Sequence, residues 1–218
     1  ILANMLFYST KNHNYQLSSV FIFLLVLSTL GCRHLDNIAL QSITSTMNEA
    51  ESFMIDNPQL AYNLLDKIDY TSIKRNKDKA QYALLFTEAQ YKNYYYIEND
   101  SLIKVAVLYY SKHKKWDYLF RSYYSLGCVY SLLKLYPDAA VAFAQAGKKV
   151  ILVDCDMRKG RQFSIFGVSP TPGLSNYLSG IDSDGGDSNP NILSYIKETE
   201  VENLYMITAG NIPPNPSE

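Results

Sequence analysis

Between Asp36 and Ala146 apolar residues return every three to four positions, and after Gly147 that period gives way to an unbroken apolar run. The first pattern predicts helices that bury one face, the second a strand. In "DNPQLAYNLLDKI", Leu60, Ala61, Leu64, Leu65 and Ile68 fall on one helical face. Asn57 can cap that helix, and Pro58 can fill its first turn, where a missing N–H costs nothing. "KAQYALLFTEAQYKNYY" and "DSLIKVAVLYYSKH" predict a second pair of helices, with Asp100 or Ser101 as the cap of its second member. "WDYLFRSYYSLGCVYSLL" and "YPDAAVAFAQA" predict a third pair. Ala106 and Tyr110 precede Ala139 and Phe143 by 33 residues, a period expected of stacked helix pairs. "KRNKDK" reads as a solvated turn or a helix start.

Val150 to Val153 is a β-branched and leucine run that predicts a strand buried on both faces of a parallel sheet. It ends in Asp154 and Asp156, which alternate with Cys155, so both carboxylates can face one side. Ligands of open parallel sheets bind at the carboxyl ends of strands, and two carboxylates there suit magnesium held partly through water. The competing reading is that both aspartates cap the turn that follows. "RQFSIFG" and "TPGLSNYLSG" predict short helices, "IDSDGGDSNPN" an acidic loop, and "LSYIKET" and "NLYMITAG" further strands. "NPSE" reads as the start of another helix, capped by Asn215.

One segment stands apart. "VFIFLLVLSTL", Val20 to Leu30, is uncharged and spans 11 residues, against roughly 20 needed to cross a bilayer. Its length suits the apolar region of a signal peptide. "STLGC" then resembles a lipobox, which would make Cys32 the lipid-bearing residue and tie the chain to a membrane. The plainer reading is a buried helix.

Composition narrows the partners. Hydrophobic residues are 47% and charged residues 19%, as in a globular protein, and the net charge of −1 offers no basic field for nucleic acid. The three cysteines and three histidines show neither a disulfide framework nor metal-ligand spacing. The 19 tyrosines are read as amphipathic rings filling gaps between crossing helices.

Two resemblances follow. Leu126, Gly127 and Tyr130, with Ala139, Phe143 and Ala146, resemble the two helices of a tetratricopeptide repeat, in which Gly127 is small because the paired helix crosses there. Residues 32–138 thus look like repeat-containing bacterial lipoproteins, and the resemblance implies a scaffold that binds a protein partner along its helical surface. "VILVDCDMRKG", "FGVSPTPGLSNYLSG" and "NLYMITAGNIPPNPSE" resemble, in order, three blocks of the bacterial tyrosine kinases of capsule and exopolysaccharide synthesis. The first looks like that family's Walker A-prime motif, D-x-D-x-R. The resemblance implies Mg-ATP as the family's cofactor. It would place Asp154 near the magnesium as catalytic group, Asp156 in the metal shell, and Arg158 in phosphate handling or subunit contacts.

Phosphoryl transfer of this class also needs a glycine-rich loop for the phosphates. G-x-x-x-x-G-K-[ST] occurs nowhere in the chain: Gly147-Lys148 is followed by a second lysine, and the region upstream is repeat-like. The family's later metal-binding strand and tyrosine cluster would lie past Glu218. The expected fold is therefore mainly α, of stacked tetratricopeptide-like helix pairs, followed by an incomplete α/β parallel-sheet fragment of a P-loop-type nucleotide-binding domain. The expected organisation is a signal segment over 1–31, a helical domain over 32–139 and the kinase-like fragment over 140–218, joined near residues 138–142. The expected function is a non-catalytic scaffold carrying a partial kinase domain, with no cofactor for this chain alone. The alternative is an ATP-dependent protein tyrosine kinase.

Overall fold

The computed structural model describes residues 40–181, 186 and 191–211. The expected signal segment with Cys32, most of the acidic loop and the terminal "NPSE" helix lie outside the described residues.

Helix α1 covers residues 40–53, followed by α2 (Pro58–Leu65), a 3-10 turn (Tyr70–Ser72), α3 (Asn76–Lys92), α4 (Ser101–Lys112), α5 (Trp116–Leu132) and α6 (Tyr136–Gln145). The start of α2 follows the sequence: the Leu60 N–H donates to Asn57 Oδ1 at 3.0 Å, with Pro58 in the first turn. The start of α4 differs in detail. Asp100 is its cap residue but makes no side-chain capping bond; its carboxylate instead pairs with Lys104 at 2.7 Å, one turn on. "KRNKDK" is the first turn of α3, and it is not wholly solvated: Asp78 is 1% exposed and takes a bidentate pair from Arg75, at 2.6 and 2.9 Å.

Helices α3 to α6 end in the same way. Tyr94, Lys114, Lys134 and Gly147 each adopt positive φ, between 51° and 75°. The next N–H then reaches back five residues: Tyr95 to the Gln90 carbonyl, Lys115 to Tyr110, Leu135 to Tyr130 and Lys148 to Phe143, at 2.8–3.1 Å. This is the Schellman closure, which satisfies carbonyls the helix end would leave open. The three-residue links after α4 and α5 make those helices antiparallel neighbours of the next.

Shared helices join the cores. Tyr82, Leu85 and Ala89 of α3 pack with Met47 of α1, Met54 of the turn after it and Leu65 of α2, while Ala80, Ala83 and Leu84 pack with Ile103, Ala106, Leu119 and Val129 of α4 and α5. Each large side chain so buried contributes about 1.5–3 kcal/mol. Arg121 of α5 links Glu51 of α1 and Glu88 of α3, donating to both carboxylates. The tyrosines do fill gaps, as in the ring cluster of Tyr62, Tyr70, Tyr82, Tyr95 and Phe86. Not all of them reach water, however. Tyr82 and Tyr110 are buried, and burial pushes the Tyr82 phenol up to about 12.

Helix α6 plays a second joining role. Ala142 lies in the helical core, whereas Ala140 and Ala144 pack with Phe166, Leu204 and Met206 against a small sheet. Strand β1 (Val150–Val153) pairs in parallel with β3 (Leu204–Ile207), and β2 (Lys197–Glu198) pairs antiparallel with the other edge of β3. Short helices α7 (Gln162–Ile165) and α8 (Leu174–Ser179) lie between β1 and β2 in sequence.

Two expectations for this part need correction. The sheet is mixed, because "LSYIKET" forms a 3-10 turn (Ile192–Tyr195) and only then a two-residue strand that runs against β3. Strand β1 is also not buried on both faces. Val150 and Leu152 pack toward α6, but Ile151 and Val153 on the other face are 47% and 41% exposed. The described residues supply one covering layer, so an apolar run built for two layers keeps one face bare. The structure is mainly helical with a partial three-stranded sheet, as expected at that coarser level.

Candidate functional site

The residues proposed from sequence lie in the loop that leaves β1. Asp154 is the first residue past the strand, its N–H still donating to the Ile207 carbonyl at 2.9 Å. Its carboxylate is 5% exposed and organises the loop: Oδ1 accepts from the Asp156 N–H at 3.1 Å, and Oδ2 from the Gln162 N–H at 3.2 Å. Gly160 packs on the same group, since a Cβ there would stand 2.9 Å from Asp154 Oδ2 and 2.6 Å from Ala209 Cβ. Asp156 is exposed, and its Oδ1 accepts from the N–H groups of Arg158 and Lys159 at 3.2 and 3.0 Å.

Both aspartates thus cap backbone, as the plainer sequence reading has it. They do not share one environment, because the strand alternation that would align them ends at Val153. Arg158 is exposed in the same loop. Cys155, between the two aspartates, is exposed as well.

Does this donor set fit magnesium? Among the described residues no group of three or more histidine, cysteine, aspartate or glutamate side chains converges. Each Asp154 oxygen keeps a second lone pair beside the N–H it accepts. Magnesium takes about six oxygens and uses one or two carboxylates only where waters and substrate phosphates complete the shell. Two carboxylates, both accepting from the backbone of their own loop, are a partial donor set for that ion.

A second group of residues gathers around the end of β3, drawn mostly from the second and third of the blocks that resemble the kinases. Thr208, with no exposed surface, donates from Oγ1 to the Pro170 carbonyl at 2.8 Å and accepts from Lys197 Nζ at 2.7 Å. Lys197 also donates to the Ser169 carbonyl at 2.6 Å. Burial pushes its ammonium group down to about 8, although both bonds favour the charged form. Helix α8 is seated on the strand end: the Leu174 and Ser175 N–H groups donate to the Thr208 and Ala209 carbonyls at 2.8 and 2.9 Å. Gly173 permits the approach, because any Cβ there would overlap the Thr208 carbonyl oxygen and the Gly210 nitrogen. Asn176 ties the junction, its Oδ1 accepting from the N–H groups of Gly173 at 2.9 Å and Asn211 at 3.3 Å. The two blocks carrying these residues were legible in the sequence, but their hydrogen bonds to each other were not.

A segment of the chain resembles bacterial tyrosine kinases. It is 47% identical over 81 residues to the CapB protein of Staphylococcus aureus, described as a tyrosine-protein kinase, covering 37% of this chain and 32% of that protein. It is 39% identical over 81 residues to the tyrosine-protein kinase wzc of Salmonella typhi and 37% over 79 to etk of Escherichia coli K12, in each case 10% of the relative. The chain therefore spans about a third or less of these relatives. No protein-family model matches it. Among solved structures, the chimerical protein CapA2B2 is 41% identical with a TM-score of 0.31, covering 40% of this chain and 34% of that one. The BceF tyrosine kinase domain is 29% identical with a TM-score of 0.32, covering 46% and 45%. Among the described residues no helix is long and apolar enough to cross a membrane.

Proposed function

We propose that this chain is a helical protein-interaction scaffold joined to a partial tyrosine-kinase nucleotide-binding domain, and that it transfers no phosphate by itself. One pairing of observations carries the reading: the chain matches tyrosine kinases over 81 residues, about the length of residues 140–218, yet contains no G-x-x-x-x-G-K-[ST]. Without backbone N–H groups wrapped around a triphosphate, a pair of carboxylates has nothing to position. The bare Ile151 and Val153 face supports the same view, since a nucleotide-binding sheet needs both faces covered.

In this reading Asp154 and Asp156 are the magnesium-facing residues of the kinase relatives, Arg158 the phosphate-handling one, and Mg-ATP the cofactor of those relatives. Here the two aspartates serve to cap the loop. For the helical part, the repeated helix closure and the seat of Phe143 on Gly127 support a tetratricopeptide-like stack with a partner on its surface. Cys32 would carry a lipid and place that scaffold at the cell envelope. In this reading the two parts are a join of two unrelated coding segments within α6, each of which would supply an Ala-x-x-Phe-Ala helix, here Ala140 to Ala144.

The test is Mg-ATP titrated into the purified chain, with Asp154→Ala alongside; no saturable signal is expected. A saturable signal abolished by that substitution would favour the second reading, an ATP-dependent protein tyrosine kinase of exopolysaccharide synthesis, which the 47% identity recommends. For the anchor, radioactive fatty acid should label the wild type and not Cys32→Ser. Genomic DNA read across codons 130–150 tests the join.

A further inference from the structure

The kinase resemblance leaves the helical part without a ligand, but one groove on it has a definite chemistry. It lies between the start of α3 and the end of α4, has a volume of about 610 Å³, and is lined by Asn76, Lys77, Lys79, Val105, Leu108, Tyr109, Lys112 and His113. Its floor is apolar. Leu108 is 71% exposed there, far above what a leucine at a helix–helix seam normally keeps, and Val105 and Tyr109 are half-buried beside it. Its rim is basic: three lysines and a histidine stand around the floor, and none of the lining residues is acidic.

The acidic side chains nearest in sequence do not line the groove: Asp78 is committed to Arg75, and Asp117 stands four residues past His113. Among the described residues Lys77, Lys79, Lys112 and His113 have no carboxylate partner at ion-pair distance. Two of the four are held in place. Lys79 Nζ lies 5.9 Å from the Tyr70 ring centre, and His113 stacks on Tyr109 at 4.1 Å while its Nδ1 donates to the Tyr109 carbonyl at 2.7 Å.

We infer that this groove docks an acidic peptide bearing an apolar side chain, the side chain seated on Leu108, Val105 and Tyr109 and its flanking carboxylates paired with Lys77, Lys79 and Lys112. The inference rests on the scaffold reading and gives its partner a chemistry. Charge complementarity selects the occupant: an isolated apolar contact would leave three lysines unpaired, and a plain polyanion would leave the leucine in water. Both features together favour a segment that alternates glutamate or aspartate with leucine or phenylalanine.

The experiment uses the full chain and a fluorescein-labelled synthetic peptide of glutamates around a leucine-phenylalanine pair, read by anisotropy. Saturable binding is expected that weakens roughly tenfold or more when glutamine replaces the peptide's glutamates, or when the protein carries Lys77→Glu with Lys112→Glu. Leu108→Ser should weaken it separately, and raising salt from about 0.05 to about 0.5 M should weaken the charge-dependent part alone. All three substituted positions are exposed, and an unchanged circular-dichroism melt verifies that the variants fold. Absence of saturable binding overturns the inference, as does binding indifferent to the lysine reversals. Equally tight binding of a heparin fragment with no apolar group also overturns it, because the surface would then be a general anion patch. The scaffold reading is judged separately by the nucleotide titration, which these substitutions do not touch.

Discussion

A Cβ on Gly127 would lie 2.6 Å from Cδ1 and 2.7 Å from Cε1 of Phe143, so the α6 ring rests directly on the α5 backbone. Helix α6 also carries Ala140 and Ala144 against the sheet, which makes this seat part of the connection between the helical stack and the α/β part. Gly127→Leu should therefore cost about 1–3 kcal/mol through overpacking, more than the ~1 kcal/mol that leaving glycine returns in helix propensity. Urea unfolding measures it. Phe143→Ala in the Gly127→Leu background should recover part of the loss; an additive double variant would refute the contact.

Arg121 holds two carboxylates from different helices, and Glu88 is nearly buried. Arg121→Met leaves Glu51 without its cation and Glu88 with only Lys92, at 3.6 Å, and should lower stability by about 1–3 kcal/mol, below the figure for fully buried pairs because the arginine is partly exposed. Arg121→Lys should rescue little of this, since a single ammonium cannot span the two acceptors a planar guanidinium reaches. Thermal melts of the two variants provide the comparison.

Gly173→Ala tests the α8 junction. The atoms a methyl would meet are backbone of Thr208 and Gly210, which no rotamer change can clear. Limited proteolysis should cut residues 160–211 much faster in this variant while α1 to α5 persist. Equal cleavage of both halves would mean that the parts unfold together.

Lys197 makes stability depend on alkaline pH. Its folded value is lowered from 10.5 to about 8, so between those values the unfolded chain binds more protons. Stability should therefore rise from about pH 8 toward pH 10, with the burial penalty fully present below about 8. Above pH 10 the buried phenol of Tyr82, raised to about 12, works in the opposite direction. Lys197→Met should flatten the rise between pH 8 and 10 in denaturant midpoints; an unchanged slope would assign it to another group.

Some of this architecture is written locally. Asn57-Pro58 announces α2, the glycine at 127 announces a close helix, and β1 falls on Val150–Val153 because caps, turns and short apolar runs act within a few residues. The kinase-like segment was legible because its motif blocks are contiguous. Tertiary structure alone decided that Asp154 turns inward to hold its own loop, that β2 runs against β3, that Ile151 and Val153 lie open, and that Arg121 joins Glu51 and Glu88. Pairing between residues 33 or 70 positions apart has no periodic trace in a single chain, and the exposure of a strand face depends on which layers are there to cover it.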